Sequence, residues 1–163
     1  MKDGMKAGGR FRIECYDRHG HLKWEQTAKN LVTDEGLEDI LDVVLLSGTQ
    51  RTSWYVGLTD ATPSPAAADT LASHPGWTEA DEYSEGARQA YTGSRSSQTV
   101  SNSASVASFS ITASITVGGA FLCTAATGTS GILLCVAAAD GGNESAANGD
   151  VILVTYEFSA EDA

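Results

Sequence analysis

Between Asn30 and Gly48 the sequence runs NLVTDEGLEDILDVVLLSG, the one stretch in which apolar residues follow a helical period; the rest of the chain reads as strands and turns. Leu37, Ile40, Leu41, Val44 and Leu45 recur at steps of three and four, which places them on a single face. Thr33 suits the N-cap, Asp34 and Glu35 suit the first turn, where the helix dipole favours negative charge, and Gly48 suits the end. The spacing therefore predicts one amphipathic helix over about residues 33–47. A stripe of that kind is costly to leave in water, so it is expected to cover a β-sheet and plug one end or edge of a sandwich. On that reading Leu41→Ala or Val44→Ala damages folding before any assembly.

The chain has 163 residues, enough for one domain with a real core. In FRIECYD, Phe11, Ile13 and Cys15 alternate with Arg12, Glu14 and Tyr16, giving a strand with one buried face. Asp17 to Gly20 supply a turn and His21 to Thr27 a return strand, so residues 10–29 form a basic hairpin. Residues 1–9 offer nothing to bury and read as a flexible tail. Thr52 to Thr59 is a further strand, in which Gly57 signals a close backbone approach or a bulge. Residues 60–93 hold all three prolines and read as a long loop, where Trp77, Tyr83 and Tyr91 either pin the loop to the body or meet a neighbour. A serine-rich stretch follows, and Val106, Phe109 and Ile111 mark a strand emerging from it. SITVGGAFLCT, GILLCVAAA and DVILVTYEFS add three more. The last is apolar on nearly both faces and should be central in its sheet. The fold class is mainly β: an antiparallel β-sandwich with one short amphipathic helix and long loops, residues 10–163 forming a single domain.

Charge is unevenly spread. The net charge is −11, which argues against nucleic acid as a partner. Residues 1–30 nevertheless hold seven of the ten Lys and Arg against four acids, and no Lys or Arg follows Arg95. The N-terminal segment is thus an electrostatically distinct arm suited to an acidic surface, or else an ordinary strand pair with a solvated face. No apolar run approaches the roughly 18 residues of a membrane span.

Residue chemistry alone points to no activity. Cys15, Cys123 and Cys135 each sit in an apolar run and read as buried free thiols of a protein made in a reducing cytoplasm. His19 and His21 flank Gly20 with Asp17 near, a pattern open to a metal but equally to water at a hairpin tip. Glu79, Asp81, Glu82 and Glu85 beside Trp77 and Tyr83 suit a glycosidase site, a sugar-binding face or a solvated loop. The nucleophile-elbow, zinc-protease and phosphate-loop motifs are missing from the sequence. No cofactor is expected.

WYVGLTDATPSPAAADTLASHPG, followed by WTEADEYSEGARQAYTG, resembles a family of tailed-bacteriophage virion structural proteins. The likeness extends upstream to NLVTDEGLEDIL and downstream to SNSASVASFSIT and GGAFL, covering most of residues 30–125. It implies a small β-rich virion component without catalytic residues, most like a capsid decoration or cement protein on the head surface. The implied partners are the major capsid protein and further copies of the chain, as a homotrimer or homodimer. A tail or neck component and a glycan-binding module are the alternatives. The expected interface comprises Lys6, Arg10, Arg12, Arg18 and Lys23 from the arm, with Pro63, Pro65, His74, Trp77 and Tyr83 from the loop.

Overall fold

In the computed structural model, which describes residues 4–162, the alternating stretches become long strands because each finds an antiparallel neighbour. In chain order these are β1 (Met5–Tyr16), β2 (Leu22–Val32), α1 (Asp34–Leu45), β3 (Tyr55–Asp60), β4 (Thr78–Ala80), β5 (Gln89–Ala90), β6 (Ser94–Ser96), β7 (Thr99–Ser101), β8 (Ala107–Ser110), β9 (Ile115–Cys123), β10 (Leu133–Ala138), β11 (Glu144–Ala146) and β12 (Val151–Asp162). The protein is mainly β. One open antiparallel sheet runs β4-β3-β9-β10-β2-β1-β12-β7-β6, with β11 beside β9, β5 beside β3 and β8 beside β12. The seven strands expected from the sequence are β1, β2, β3, β8, β9, β10 and β12.

Strand β2 makes this sheet two-layered. Its first part, Leu22 to Lys29, pairs with β1, whereas Asn30 to Val32 pair with β10. The chain thereby passes from one half of the sheet to the other, and the two halves close on a shared core in the manner of a sandwich. Phe11, Ile13, Ile152, Val154 and Tyr156 meet Val56, Leu58, Ala120, Leu122 and Cys135 there. Phe11 stacks on Tyr156 at 4.3 Å. Strand β12 is central, between β1 on one edge and β7 and β8 on the other.

Strands β9 and β10 are buried on both faces. Leu122, Leu134 and Cys135 point into the shared core, while Phe121, Cys123, Leu133 and Val136 point outward beneath Leu71 and Trp77 of the long loop. Gly57 on β3 is the close approach anticipated at that position: a Cβ there would lie 2.2 Å from Cζ of Phe121.

Two expectations need correction. Residues 5–9 are not a tail but the first half of β1, in register with β12 from Met5–Asp162 to Gly9–Phe158. A partner strand some 150 positions away supplies the hydrogen bonds that local composition could not foretell; residues 1–3 lie outside the described residues. The second correction concerns α1. Helix and cap form as expected, but the apolar stripe faces solvent: Leu41 is 51% exposed and Val44 and Leu45 70%. That reverses the expected effect of Leu41→Ala and Val44→Ala, which now touch a surface rather than the core.

Candidate interaction surface

Polar and small residues hold α1 to the body, and they occupy the side that faces the sheet. Thr33, fully buried, accepts a hydrogen bond from the Gly36 N–H at 3.1 Å and donates its own N–H to the Leu134 carbonyl at 3.0 Å. Gly36 lies against β10 so closely that a Cβ would sit 2.6 Å from the Leu134 oxygen. One turn later the buried Asp39 carboxylate accepts from Arg51 Nε at 2.8 Å. Glu35 accepts the Leu133 N–H at 2.6 Å, and the Asp34 N–H donates to Ala67 of the loop at 2.8 Å. With residues 36 and 39 turned inward, the helical period carries Leu37, Leu41, Val44 and Leu45 to the opposite side. The helix ends through Ser47, which takes the left-handed conformation (φ 58°), and the Gly48 N–H bonds back to Asp42 at 2.8 Å.

Ile40, half-buried, continues the exposed ridge into an apolar groove of about 190 Å³ walled by Trp54, Tyr91, Val100 and Phe158. The burial of Tyr91 pushes its phenol up to about 12, so it stays neutral and adds no charge there. Beyond the groove stands an arm in which Met5 to Gly9 pair with Phe158 to Asp162, Phe158 and Ser159 also pairing with β7 on their other side. The arm overhangs because β2 departs toward β10 at Asn30, whose side-chain oxygen accepts the Gly9 N–H at 2.6 Å and whose amide donates to the Tyr156 hydroxyl at 2.9 Å. Where β2 leaves β1, Lys6, Arg10 and Lys29 line an open hollow of about 560 Å³, shared with Glu161 and Glu157, the cross-strand neighbours of Lys6 and Arg10. Helix, groove and arm thus crowd one end of the sandwich.

The expected interface residues divide sharply. Lys6 is exposed on the arm, Arg10 at its base and Arg18 at the hairpin tip. Arg12 is exposed but engaged by Glu14 at 3.1 Å and Glu25 at 2.9 Å. Lys23 pairs with the buried Asp150; burial alone would raise that carboxyl, but the ammonium and the Ala147 N–H hold it below its usual range. The loop residues are a correction. Pro63, Trp77 and Tyr83 are buried within their own chain and offer nothing to a neighbour; Pro65 and His74 are half-covered. Trp77 donates from Nε1 to Asp69 at 3.1 Å, packs on Phe121 at 5.0 Å and carries His74 stacked at 3.8 Å. Tyr83 meets Phe109 edge-on at 4.9 Å. Pinning is therefore what these aromatics do, and Trp77 has no open face on which to stack a sugar.

Two of the four acids are engaged in structure as well, whereas Asp81 and Glu82 are exposed. Glu79 grips the buried Arg88 through both oxygens at 2.8 and 2.7 Å, and Glu85 accepts the Ser110 N–H at 3.0 Å. At the hairpin tip Asp17 accepts the N–H groups of His21 and His19, which hold its carboxyl down at about 2. Cys15, Cys123 and Cys135 are buried free thiols, and burial pushes Cys15 and Cys135 up to about 11. The sequence did carry a signal for the exposed ridge, namely Leu37, Leu41, Val44 and Leu45, but read as core. A scan against protein-family models and a search of curated proteins found no match to this chain.

Proposed function

We propose that the chain is a non-enzymatic virion structural protein of a tailed bacteriophage, a decoration or cement protein that binds the outer head shell through the major capsid protein and associates with its own copies. The resemblance over residues 30–125 suggests this role. One observation carries it furthest: a two-layered body presents an exposed apolar helix ridge and, near the same end, the exposed cations Lys6, Arg10 and Lys29. Exposed apolar surface of that kind marks protein contact sites, and exposed cations suit an acidic shell.

Quantitative mass spectrometry of purified particles tests the reading. A copy number comparable with that of the major capsid protein, lost on mild shell-stripping treatment, is the expected result. A ring-sized copy number that purifies with tails moves the protein to the tail or neck. Its absence from particles overturns the virion role altogether.

A further inference from the structure

Half of β1 has a strand on one side only. Arg10 to Tyr16 lie between β12 and β2, but Met5 to Gly9 pair with β12 alone, because β2 crosses to β10 at Asn30. Two sets of bonds fix which backbone groups face the open side. The Gly9 N–H points to Asn30 of β2 at 2.6 Å, and Tyr156, opposite Phe11, turns its own backbone away from β1 toward Asn102. Backbone groups alternate along a strand, so Met5 and Ala7 aim N–H and C=O at the side β2 has vacated, while Lys6 and Gly8 aim theirs at β12. Among the described residues nothing bonds to the backbone of Met5 or Ala7 on that side. Neither proline nor bulge blunts this edge, whose register with β12 is unbroken.

We infer that this edge is a self-pairing site: Met5–Gly9 of one copy adds as an antiparallel strand to Met5–Gly9 of a second, about a two-fold axis at Ala7. The occupant follows from the register. Centred on Ala7, the two Ala7 residues exchange N–H···O=C bonds, and each larger side chain lies opposite a glycine, Met5 over Gly9 and Lys6 over Gly8. Space is open at Gly8, where the nearest atom to a Cβ position is Asn30 Oδ1 at 3.8 Å. Centring on Lys6 would set two ammonium groups against each other, and centring on Gly8 would set Lys6 against Arg10; like charges directly opposite destabilise a sheet. From Arg10 onward β2 fills that side of β1, so the free window is the same five residues in each copy and the two windows fill each other. The edge strands β4 and β6 have three residues each and offer no such window. Lys6 keeps Glu161 as its neighbour within its own chain, so the pairing draws on backbone bonds and not on charge between copies. It gives the self-association of the proposed function a site, but it rests on the edge of β1 and not on the virion reading.

Sedimentation velocity of the pure full-length chain, from micromolar to submillimolar concentration, tests it with no particle present, so the two proposals fail separately. A reversible dimer and nothing larger is expected, with hydrogen exchange at the Ala7 amide slowing as concentration rises. Ala7→Pro should weaken the dimer at least about 10-fold, since it removes both bonds at the axis; circular dichroism should not change, because in the single chain that N–H faces water and an edge strand tolerates proline there. Gly8→Lys, which sets a second ammonium opposite Lys6, should weaken the dimer too, whereas Gly8→Ser should not. Ala7→Cys reads the register. Its paired Cα atoms, about 5.5 Å apart, permit a disulfide, so mild oxidation should link Ala7→Cys faster than Lys6→Cys or Gly8→Cys. A chain monomeric at every concentration, assembly beyond the dimer, a dimer indifferent to Ala7→Pro, or cross-linking no faster at position 7 than at 6 or 8 overturns the inference.

Discussion

Two segments lean on the outward side of β10, and they treat their apolar residues in opposite ways. The loop from Thr62 to Trp77 has no regular structure, yet it buries Leu71 and Trp77 over Phe121, Leu133 and Val136. Helix α1 is regular and visibly amphipathic, yet it docks through Thr33, Gly36 and Asp39 and leaves its leucines wet. The two even touch, through the hydrogen bond from Asp34 to Ala67. Regularity of an element and burial of its apolar face are therefore separate matters. What decides burial is which residues can approach the sheet: an indole with Asp69 to take its N–H can, and a glycine with no side chain can, but a ridge of leucines on the far side cannot.

Breaking the loop's side of this contrast should have the largest effect. Trp77→Ala removes a buried indole and one of the two donors to Asp69, and is expected to cost about 3–5 kcal/mol, read as a lowered midpoint in urea unfolding. Gly36→Val comes next. Its side chain would meet the Leu134 backbone rather than a flexible tip, so about 1–3 kcal/mol is expected, with hydrogen exchange quickening in α1 more than in β1. If Gly36→Val were neutral, close approach would not be what orients the helix.

Asp39→Ala sharpens the same point from the polar side. It removes the acceptor that Arg51 uses and should cost about 1–2 kcal/mol, while Asp39→Asn recovers part of the loss because the amide oxygen still accepts. Smallest of all is Leu41→Ser with Val44→Ser. In dilute protein the change should stay within about 0.5 kcal/mol, since both side chains are already in water. A loss as large as that of Trp77→Ala would mean that the ridge is core after all.

Much of the fold was readable from local pattern. Alternation in FRIECYD and the continuous apolar runs of β9, β10 and β12 specify strands, since a period of two over six or more residues leaves little choice. The short β4, β5, β6, β7 and β11 were missed because two or three residues cannot display a period at all. The loop aromatics were legible as pins only in part: TLASHPGW announces turns and an apolar anchor but not the Phe121 and Asp69 that receive Trp77. For the arm, Lys6 was singled out by charge, yet its seat on an overhanging strand was not, because that strand is created by pairing with β12.

By itself the sequence determined that the chain is β-rich, that Thr33 caps the start of α1, that the thiols are buried and that positive charge gathers near the N-terminus. Those properties follow from neighbours along the chain. Only the tertiary structure decided which side of α1 meets the sheet, that β2 crosses between layers, and that arm, groove and ridge share one end. Each of those depends on contacts between residues far apart in sequence, such as Gly36 with Leu134 and Gly9 with Phe158. A helical period reports that an apolar face exists, but the steric fit of one glycine against one strand determines where that face points.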